Sequence, residues 1–147
     1  MGGDKFNSLN KDNIVNFIGD IFKRCGDEEY LGEPVTMAQH MLQGAFLAEK
    51  RGFSEEIIVA ALLHDIGHFT SEFGKFSMSD TVDKYHEDAG AQVLEAFFPS
   101  VVTDCVRYHV AAKRYLCKKD KSYLKKLSVA SIHSLNLQGG AMTDDEV

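Results

Sequence analysis

Apolar residues recur along this chain with the period of an α-helix rather than with the alternation of a β-strand. The first apolar stripe, spaced to lie on one face of a helix, consists of Ile14, Phe17, Ile18, Ile21 and Phe22. Cys25-Gly26 is expected to end this helix, with the glycine in a left-handed turn. No segment shows competing strand-like alternation, so the pattern predicts an all-α protein.

Two further helices have recognisable starts. Thr36 and Gln39 have the spacing of a capping box, which predicts a second helix running to about Arg51, where Gly52 ends it. Ser54, followed by two glutamates, is a typical N-cap for a third helix that extends to about Ile66. This third segment is apolar nearly all round, which is typical of a central, buried helix, and Gly67 is expected to break it.

The second half of the chain predicts three more helices after a loop at residues 69–80. They cover about Thr81 to Phe98, about Val101 to Ala112 and about Ser122 to Leu137, and the basic segment 113–121 links the last two. The expectation is therefore a single domain over residues 1–147 with about six helices. Another capping box at Thr143 to Glu146 predicts a helix that the chain does not continue. A final C-terminal helix is expected to be missing and the domain to be incomplete, with a tail from about Ala141 that is poorly packed or docked against another chain.

Composition narrows the class of protein. The chain has 147 residues, 44% of them hydrophobic and 26% charged, and a net charge of -6. This balance fits one folded domain and is unfavourable for nucleic-acid binding, although a local pocket can still attract a small anionic substrate. Three cysteines without a CxxC spacing make no disulfide framework, which fits a reducing cytoplasm. No signal peptide and no apolar run of membrane-spanning length is recognisable, so no membrane association is expected.

The six histidines and one aspartate indicate metal chemistry. His64-Asp65 ends the most apolar helix, where an ionised carboxylate is costly unless a cation or hydrogen-bond donors compensate it. His40, His86 and His109 each lie on a different predicted helix among apolar neighbours. Four imidazoles and a carboxylate suit a metal site inside a helical bundle and favour Fe, Mn, Zn or Ni over Ca or Mg. A zinc protease is disfavoured, because the helix that carries His64 lacks the glutamate of that motif.

The ordered set His40, His64-Asp65, His86 and His109 resembles the HD-domain superfamily, of which the doublet is the defining motif. Local motifs are similar to its branch of mixed-valent diiron oxygenases, in particular to the enzymes that cleave hydroxylated organophosphonates. These motifs are Tyr30-x-x-Glu33, Gln39-His40, residues 64–68, residues 109–113 and the run from Leu127 to Met142.

The resemblance implies a set of site residues. His40 and His64 would bind one iron, His86 and His109 a second, and Asp65 would bridge the two ions. Tyr30 would occupy an iron site in the resting enzyme, and Glu33 would receive a cationic amine of the substrate. The residues implied around the rest of the substrate are Gln39, His68, Lys113, Ser131 and Ser134. The family pattern adds an aspartate on a later helix, and its expected absence predicts incomplete iron binding and an inactive chain.

The function that the resemblance implies is an oxygenase that uses two iron ions and O2. It would cleave the C–P bond of a 1-hydroxyalkylphosphonate to give phosphate and a carboxylic acid. The alternative is a metal-dependent phosphohydrolase of the wider superfamily, in which the metals activate water. The Tyr30 loop favours the oxygenase, because hydrolysis has no use for a phenolate at the metal. An oxygenase acting on a substrate without phosphorus and a non-catalytic metal-binding domain are weaker alternatives. The particular phosphonate, the methylation of its amine and the oligomeric state stay open.

Overall fold

The computed structural model describes residues 8–30, 33–70, 80–83 and 85–147. This part of the chain folds into eight helices and an isolated bridge between Glu29 and Thr36, with no strand. The helices are α1 (Ile14–Cys25), α2 (Met37–Lys50), α3 (Glu55–Leu63), α4 (Gly67–Thr70), α5 (His86–Leu94), α6 (Ser100–Lys119), α7 (Lys121–Lys125) and α8 (Val129–Leu137). The prediction of an all-α fold is confirmed.

The helix boundaries differ from expectation in the second half of the chain. The basic segment 113–121, expected to be a linker, mostly extends α6, which ends at Lys119. The expected sixth helix is two helices, α7 and α8. They separate because the side chain of Asp120 caps α7 and that of Ser128 caps α8. The fourth expected helix begins only at His86, and most of the preceding loop lies outside the described residues.

Glycines end or begin helices here for different physical reasons. Gly52, after α2, has φ +75°, which is the expected left-handed stop. The same expectation is wrong for Gly26, whose φ of -63° is right-handed. Gly26 is required for close packing instead, since a side chain there would overlap the carbonyl oxygen of Phe22 and press on Ala38. Gly67 does not simply break α3: that helix ends at Leu63, and Gly67 begins the short α4.

The core lies where α2, α3, α5 and α6 meet, because α3 packs against both α2 and α6 while α5 packs against α4 and α6. The buried residues of this cluster are Ile21, Met37, Met41, Leu63, Ile66, Ala91, Leu94 and Val106. Helix α3 is less enclosed than expected. Ala60 and Leu63 are its buried residues, and Ile57 and Ile58 are half-buried. None of the described helices is both long and apolar enough to cross a membrane.

The C-terminal residues are tied to α6. Arg114 donates from Nε to the carbonyl oxygen of Gly140 over 2.8 Å, and its Nη2 lies 2.9 Å from both carboxylate oxygens of Glu146. The backbone nitrogen of Met142 donates to the carbonyl of Arg114, and Lys118 pairs with Asp144. The expectation of a poorly packed tail is therefore wrong, because one arginine satisfies a carbonyl and a carboxylate of that segment at once.

Candidate metal centre

Asp65 lies at the centre of the candidate site, in the turn between α3 and α4. It is buried, with 3% of its surface exposed. His64, at the C-terminal end of α3, directly precedes Asp65. Helix α4 begins two residues after Asp65, at Gly67. Three other helices contribute His40, His86 and His109. The sequence therefore brings four imidazoles from α2, α5, α6 and the end of α3 to one buried carboxylate.

The two oxygens of Asp65 face different pairs of imidazoles. On one side, Oδ2 lies 2.9 Å from Nε2 of His40 and 3.0 Å from Nε2 of His64. On the other, Oδ1 lies 3.2 Å from Nε2 of His86 and 3.5 Å from Nε2 of His109. The nitrogens within each pair are 3.2 Å and 3.0 Å apart, respectively. Each oxygen of this one carboxylate therefore faces its own pair of imidazoles.

His68 lies closer to this centre than its expected role at the substrate requires. Its Nε2 is 3.7 Å from Oδ1 of Asp65, and its ring stacks on that of His86 at 4.0 Å between centroids. Two groups of three residues present ligand atoms close enough together to hold one ion. One group is Asp65, His68 and His86, and the other is His40, His64 and Asp65. His68 is thus a geometric candidate for the Oδ1 side alongside His109.

The contacts of the Nδ1 atoms explain why Nε2 of these rings points towards Asp65. Nδ1 of His64 lies 2.7 Å from the carbonyl oxygen of Ala61, and Nδ1 of His109 lies 2.7 Å from that of Val106. A carbonyl can only accept a hydrogen bond, so these contacts place a proton on Nδ1 and direct Nε2 of each ring towards Asp65, where the neutral ring could bind a metal.

Charges in the cluster oppose the effect of burial. Burial alone would raise the pKa of Asp65, but the neighbouring imidazoles, His64 foremost, hold it well below 3.8. Burial lowers the pKa of His64, yet the carboxylate of Asp65 outweighs that effect and raises the pKa to about 9. For His68, the attraction of Asp65 does not outweigh the other effects. Burial, together with the charge of His86, lowers the pKa of His68 to about 3. Asp65 is therefore ionised, as a metal ligand must be.

The hydrogen bonding of Asp65 tests whether a metal fits. Oδ2 is buried, yet it accepts no hydrogen bond with good geometry from any residue that the structure describes. The rings of His40 and His64 turn their Nε2 atoms towards each other beside it. Nε2 of His40, Nε2 of His64 and Oδ2 of Asp65 thus converge with too few hydrogen-bond donors among them. A metal cation at this point would be bound by one lone pair from each of the three atoms. The residues present fit a metal.

Tyr30, expected at an iron, and Glu33, expected at the amine of the substrate, lie near the cluster. The ring of Tyr30 stacks on that of His40, with 3.7 Å between centroids and 13° between planes. Burial, followed by the charges of Asp65 and Glu33, raises the pKa of Tyr30 well above its ordinary value of 10.0. Glu33 is half-buried, and its backbone nitrogen donates to the carbonyl of Tyr30. The two residues between them lie outside the described residues.

The expected substrate residues divide into two groups. Lys113 donates to Ser134 over 3.4 Å, and Ser134 lines a small, open pocket together with His68, His86 and Gln138. Asp80 and Asp83 line the same pocket, so it carries acidic groups beside the lysine. Gln39 and Ser131 each make a hydrogen bond at the start of a helix. The Gln39 side chain accepts from the backbone of Thr36, and Ser131 hydrogen-bonds the side chain of Ser128.

Sequence reasoning missed one residue, Glu87. It directly follows His86, is 8% exposed, and its Oε2 lies 3.5 Å from Nδ1 of His86. Burial raises the pKa of this carboxyl group. The available signal was an acidic residue beside a candidate ligand in the first turn of a helix.

An all-helical bundle with a carboxylate between imidazole pairs defines a class of metal-binding proteins, and comparison with known sequences identifies the family. The sequence pattern of the HD domain matches residues 37–134. The chain belongs to the HD-domain family, and this confirms the resemblance drawn from the doublet His64-Asp65.

Comparison with known relatives indicates the branch of the HD-domain family. The chain is 73% identical over its 147 residues to the [1-hydroxy-2-(trimethylamino)ethyl]phosphonate dioxygenase (glycine-betaine-forming) of Leisingera caerulea, of which it covers 75%. It is 46% identical over 121 residues, 82% of the chain, to the hydroxymethylphosphonate dioxygenase of Gimesia maris, covering 60% of that protein. An uncharacterized protein, L432 of Acanthamoeba polyphaga mimivirus, is 35% identical over 140 residues, which are 90% of this chain and 62% of that protein. The expectation of an oxygenase from the phosphonate-cleaving branch is confirmed.

Proposed function

We propose that this chain is an iron-dependent dioxygenase of a 1-hydroxyalkylphosphonate. In the proposed reaction the C–P bond breaks, the hydroxyl-bearing carbon becomes a carboxylate, and phosphorus leaves as phosphate, with O2 supplying the added oxygen. The first candidate substrate carries a trimethylammonium group, since the relative at 73% identity is named for such a compound. The observation that carries the proposal is the buried Asp65 set between two imidazole pairs in a chain of this branch.

Two metal positions follow from the two oxygens of Asp65. We infer that His40, His64 and Oδ2 hold one ion, and that His86, His109 and Oδ1 hold the other. When bound, an iron pair would supply the one-electron chemistry that lets O2 react with a closed-shell substrate. The protein's own contribution is to keep Asp65 ionised and to present the imidazoles as neutral ligands through their Nε2 atoms.

Lys113 is proposed to hold the anionic end of the substrate. Its ammonium group approaches Ser134, which faces the same pocket as His68 and His86. An ammonium and a hydroxyl side by side can both donate to phosphonate oxygens, and the partial burial of Lys113 strengthens that attraction. Burial lowers the pKa of Lys113, so binding an anion would favour its charged form.

Glu33 and Tyr30 are proposed to act on the opposite edge, beside His40. Glu33 would attract a cationic amine, and its position one turn from Tyr30 places the charge near the Oδ2 side of the site. Tyr30 stacks on His40 and has a hydroxyl proton that is hard to remove in this environment. Loss of that proton would therefore need a cation nearby, which is consistent with a tyrosine that interacts with the metal site.

Oxygen dependence separates the oxygenase from the phosphohydrolase. Iron-loaded protein is incubated with a 1-hydroxyalkylphosphonate, and phosphate release is measured in air and under argon. We expect release in air alone, with O2 consumed in parallel. Phosphate release under argon, or turnover of a phosphate ester at the same rate in both atmospheres, would favour the phosphohydrolase. The Asp65→Asn variant is the control, since it keeps the shape of the site but removes the charge between the metals.

A further inference from the structure

Glu87 has a buried carboxylate that the proposed function does not use. The residue is the second of α5, it is 8% exposed, and its Oε2 accepts no hydrogen bond of good geometry from the described residues. The polar atom beside that oxygen is Nδ1 of His86, at 3.5 Å. A buried acceptor without a donor is costly unless it serves a purpose, and here the neighbouring atom is one that must carry a proton if Nε2 is to bind a metal.

His86 differs from the other imidazoles in where its helix begins. His64 and His109 each direct Nδ1 at the backbone carbonyl three residues earlier, because a helical turn precedes them. His86 is the first residue of α5, and Tyr85 before it has a left-handed backbone with φ 50°. Among the described residues, no helical turn therefore precedes His86 to place a carbonyl beside its Nδ1, and the neighbouring acceptor is the carboxylate of Glu87.

We propose that Glu87 is a positioning residue for His86: its carboxylate, 3.5 Å from Nδ1, becomes the hydrogen-bond acceptor of Nδ1–H when Nε2 binds a metal, and it holds Nε2 towards Oδ1 of Asp65. This inference rests on the proposed metal centre. A carboxylate acceptor increases the electron donation of an imidazole more than a backbone carbonyl does. His86 would then bind the ion on the Oδ1 side more tightly than His64 binds the ion on the Oδ2 side, because Nδ1 of His64 donates to a backbone carbonyl. The two metal positions would differ although their inner ligands are of the same type.

Charge removal at one position tests this idea. Glu87→Gln keeps the size of the side chain and an acceptor oxygen but removes the charge. Asp88→Asn is the matched control, because Asp88 is an exposed acid in the same first turn of α5. Metal-free protein is titrated anaerobically with Fe²⁺ against a competing chelator. In Glu87→Gln we expect one of two ions to bind about 10- to 100-fold more weakly, while Asp88→Asn binds both like the wild type.

Two spectroscopic measurements separate positioning from a general structural effect. Mössbauer spectra of ⁵⁷Fe-loaded Glu87→Gln should show altered parameters for one iron signal of the two. In metal-free protein labelled with ¹⁵N-histidine, the Nδ1–H proton of His86 should resonate far downfield and move upfield in the variant. If Glu87→Gln fails to fold, as judged by circular dichroism, Glu87→Asp retains the charge at a greater distance and should show the same changes in weaker form.

The outcomes distinguish this inference from the proposed function. Wild-type protein that binds no iron would contradict the proposed centre, whereas the Nδ1–H resonance would still report the Glu87 contact. Two irons bound by Glu87→Gln with unchanged affinity and spectra would overturn the inference and leave the proposed function intact. A change confined to the KM for substrate would overturn it too, because that result would assign Glu87 to the nearby Lys113 instead.

Discussion

Gly67 lies so close to His86 that a methyl group on Gly67 would overlap the carbonyl oxygen of His86. The backbones of α4 and α5 touch at this point, and Gly90 completes the contact, since its own Cβ would meet the nitrogen of Gly67 at 3.1 Å. This contact sets the distance between the turn that carries Asp65 and the helix that begins at His86. The geometry of the site therefore depends on the absence of a side chain.

Substituting Gly67 should damage both the fold and the metal site. Gly67→Ala forces α4 and α5 apart, so we expect a loss of about 1–3 kcal/mol or more in the free energy of unfolding and a loss of bound metal. Gly19→Ala is the control, because nothing lies within 4 Å of a Cβ at that position in α1. That change should stabilise the protein by about 0.5–1 kcal/mol. Urea denaturation and metal analysis measure both effects, and equal behaviour of the two variants would contradict the packing argument.

His68 should make metal-free protein sensitive to acid. Its folded-state pKa is about 3 and its unfolded value about 6.5, so the unfolded chain binds an extra proton between those values. Stability should thus fall as the pH drops from about 6.5 towards 3, with a slope of up to about 1.4 kcal/mol per pH unit for one proton. His109, whose pKa burial also lowers, adds to the same trend.

Replacing the titrating ring isolates its contribution. His68→Gln should show a shallower loss of stability between pH 6 and pH 4 than the wild type, when unfolding of the metal-free proteins is followed by denaturant titration. Asp65 is present in both proteins, so protonation of its unfolded-state carboxyl, with a pKa of 3.8, contributes to both slopes alike. Identical slopes for the two proteins would show that His68 is not buried in its neutral form.

Glu33 should discriminate substrates by charge. Glu33→Ala removes the proposed partner of an amine, so we expect kcat/KM for an amine-bearing 1-hydroxyphosphonate to fall by roughly 10- to 150-fold, equivalent to about 1.5–3 kcal/mol. Hydroxymethylphosphonate, which has no amine, should be affected much less. Glu29→Ala, an exposed acid in the same loop, serves as the control. An equal fall for both substrates would assign Glu33 to the structure of the loop.

Arg114 should hold the C-terminal residues against α6. Its side chain is 17% exposed and makes contacts with both Gly140 and Glu146. Arg114→Ala should destabilise the protein by about 1–3 kcal/mol and speed amide exchange at Met142, whose nitrogen donates to the Arg114 carbonyl. Lys118→Ala removes only an exposed pair with Asp144 and should change stability by less than about 1 kcal/mol. Exchange that is equally fast in the wild type would argue against this anchoring role.

Sequence pattern alone was sufficient for the class of fold, and it singled out the imidazoles and the carboxylate that the structure brings together. Helical periodicity and capping are local, so α1, α2 and the start of α3 follow from residues a few positions apart. The doublet His64-Asp65 was conspicuous because a charged residue at the end of an apolar helix needs compensation. Local signals failed where two residues, Asp120 and Ser128, divide an apparently continuous helix by capping its parts.

Only the tertiary structure decided how the donors are shared. Which oxygen of Asp65 faces which imidazole depends on contacts between residues more than twenty positions apart, such as His86 and His109, and no local rule reports those distances. The same holds for His68, whose ring stacks on that of His86, and for Glu87, whose burial follows from the packing of α5 on α4 and α6. The sequence determined which groups could bind metal, because donor chemistry belongs to each residue. Packing determined their partners, because close approaches such as that of Gly67 to His86 exist only once the helices are assembled.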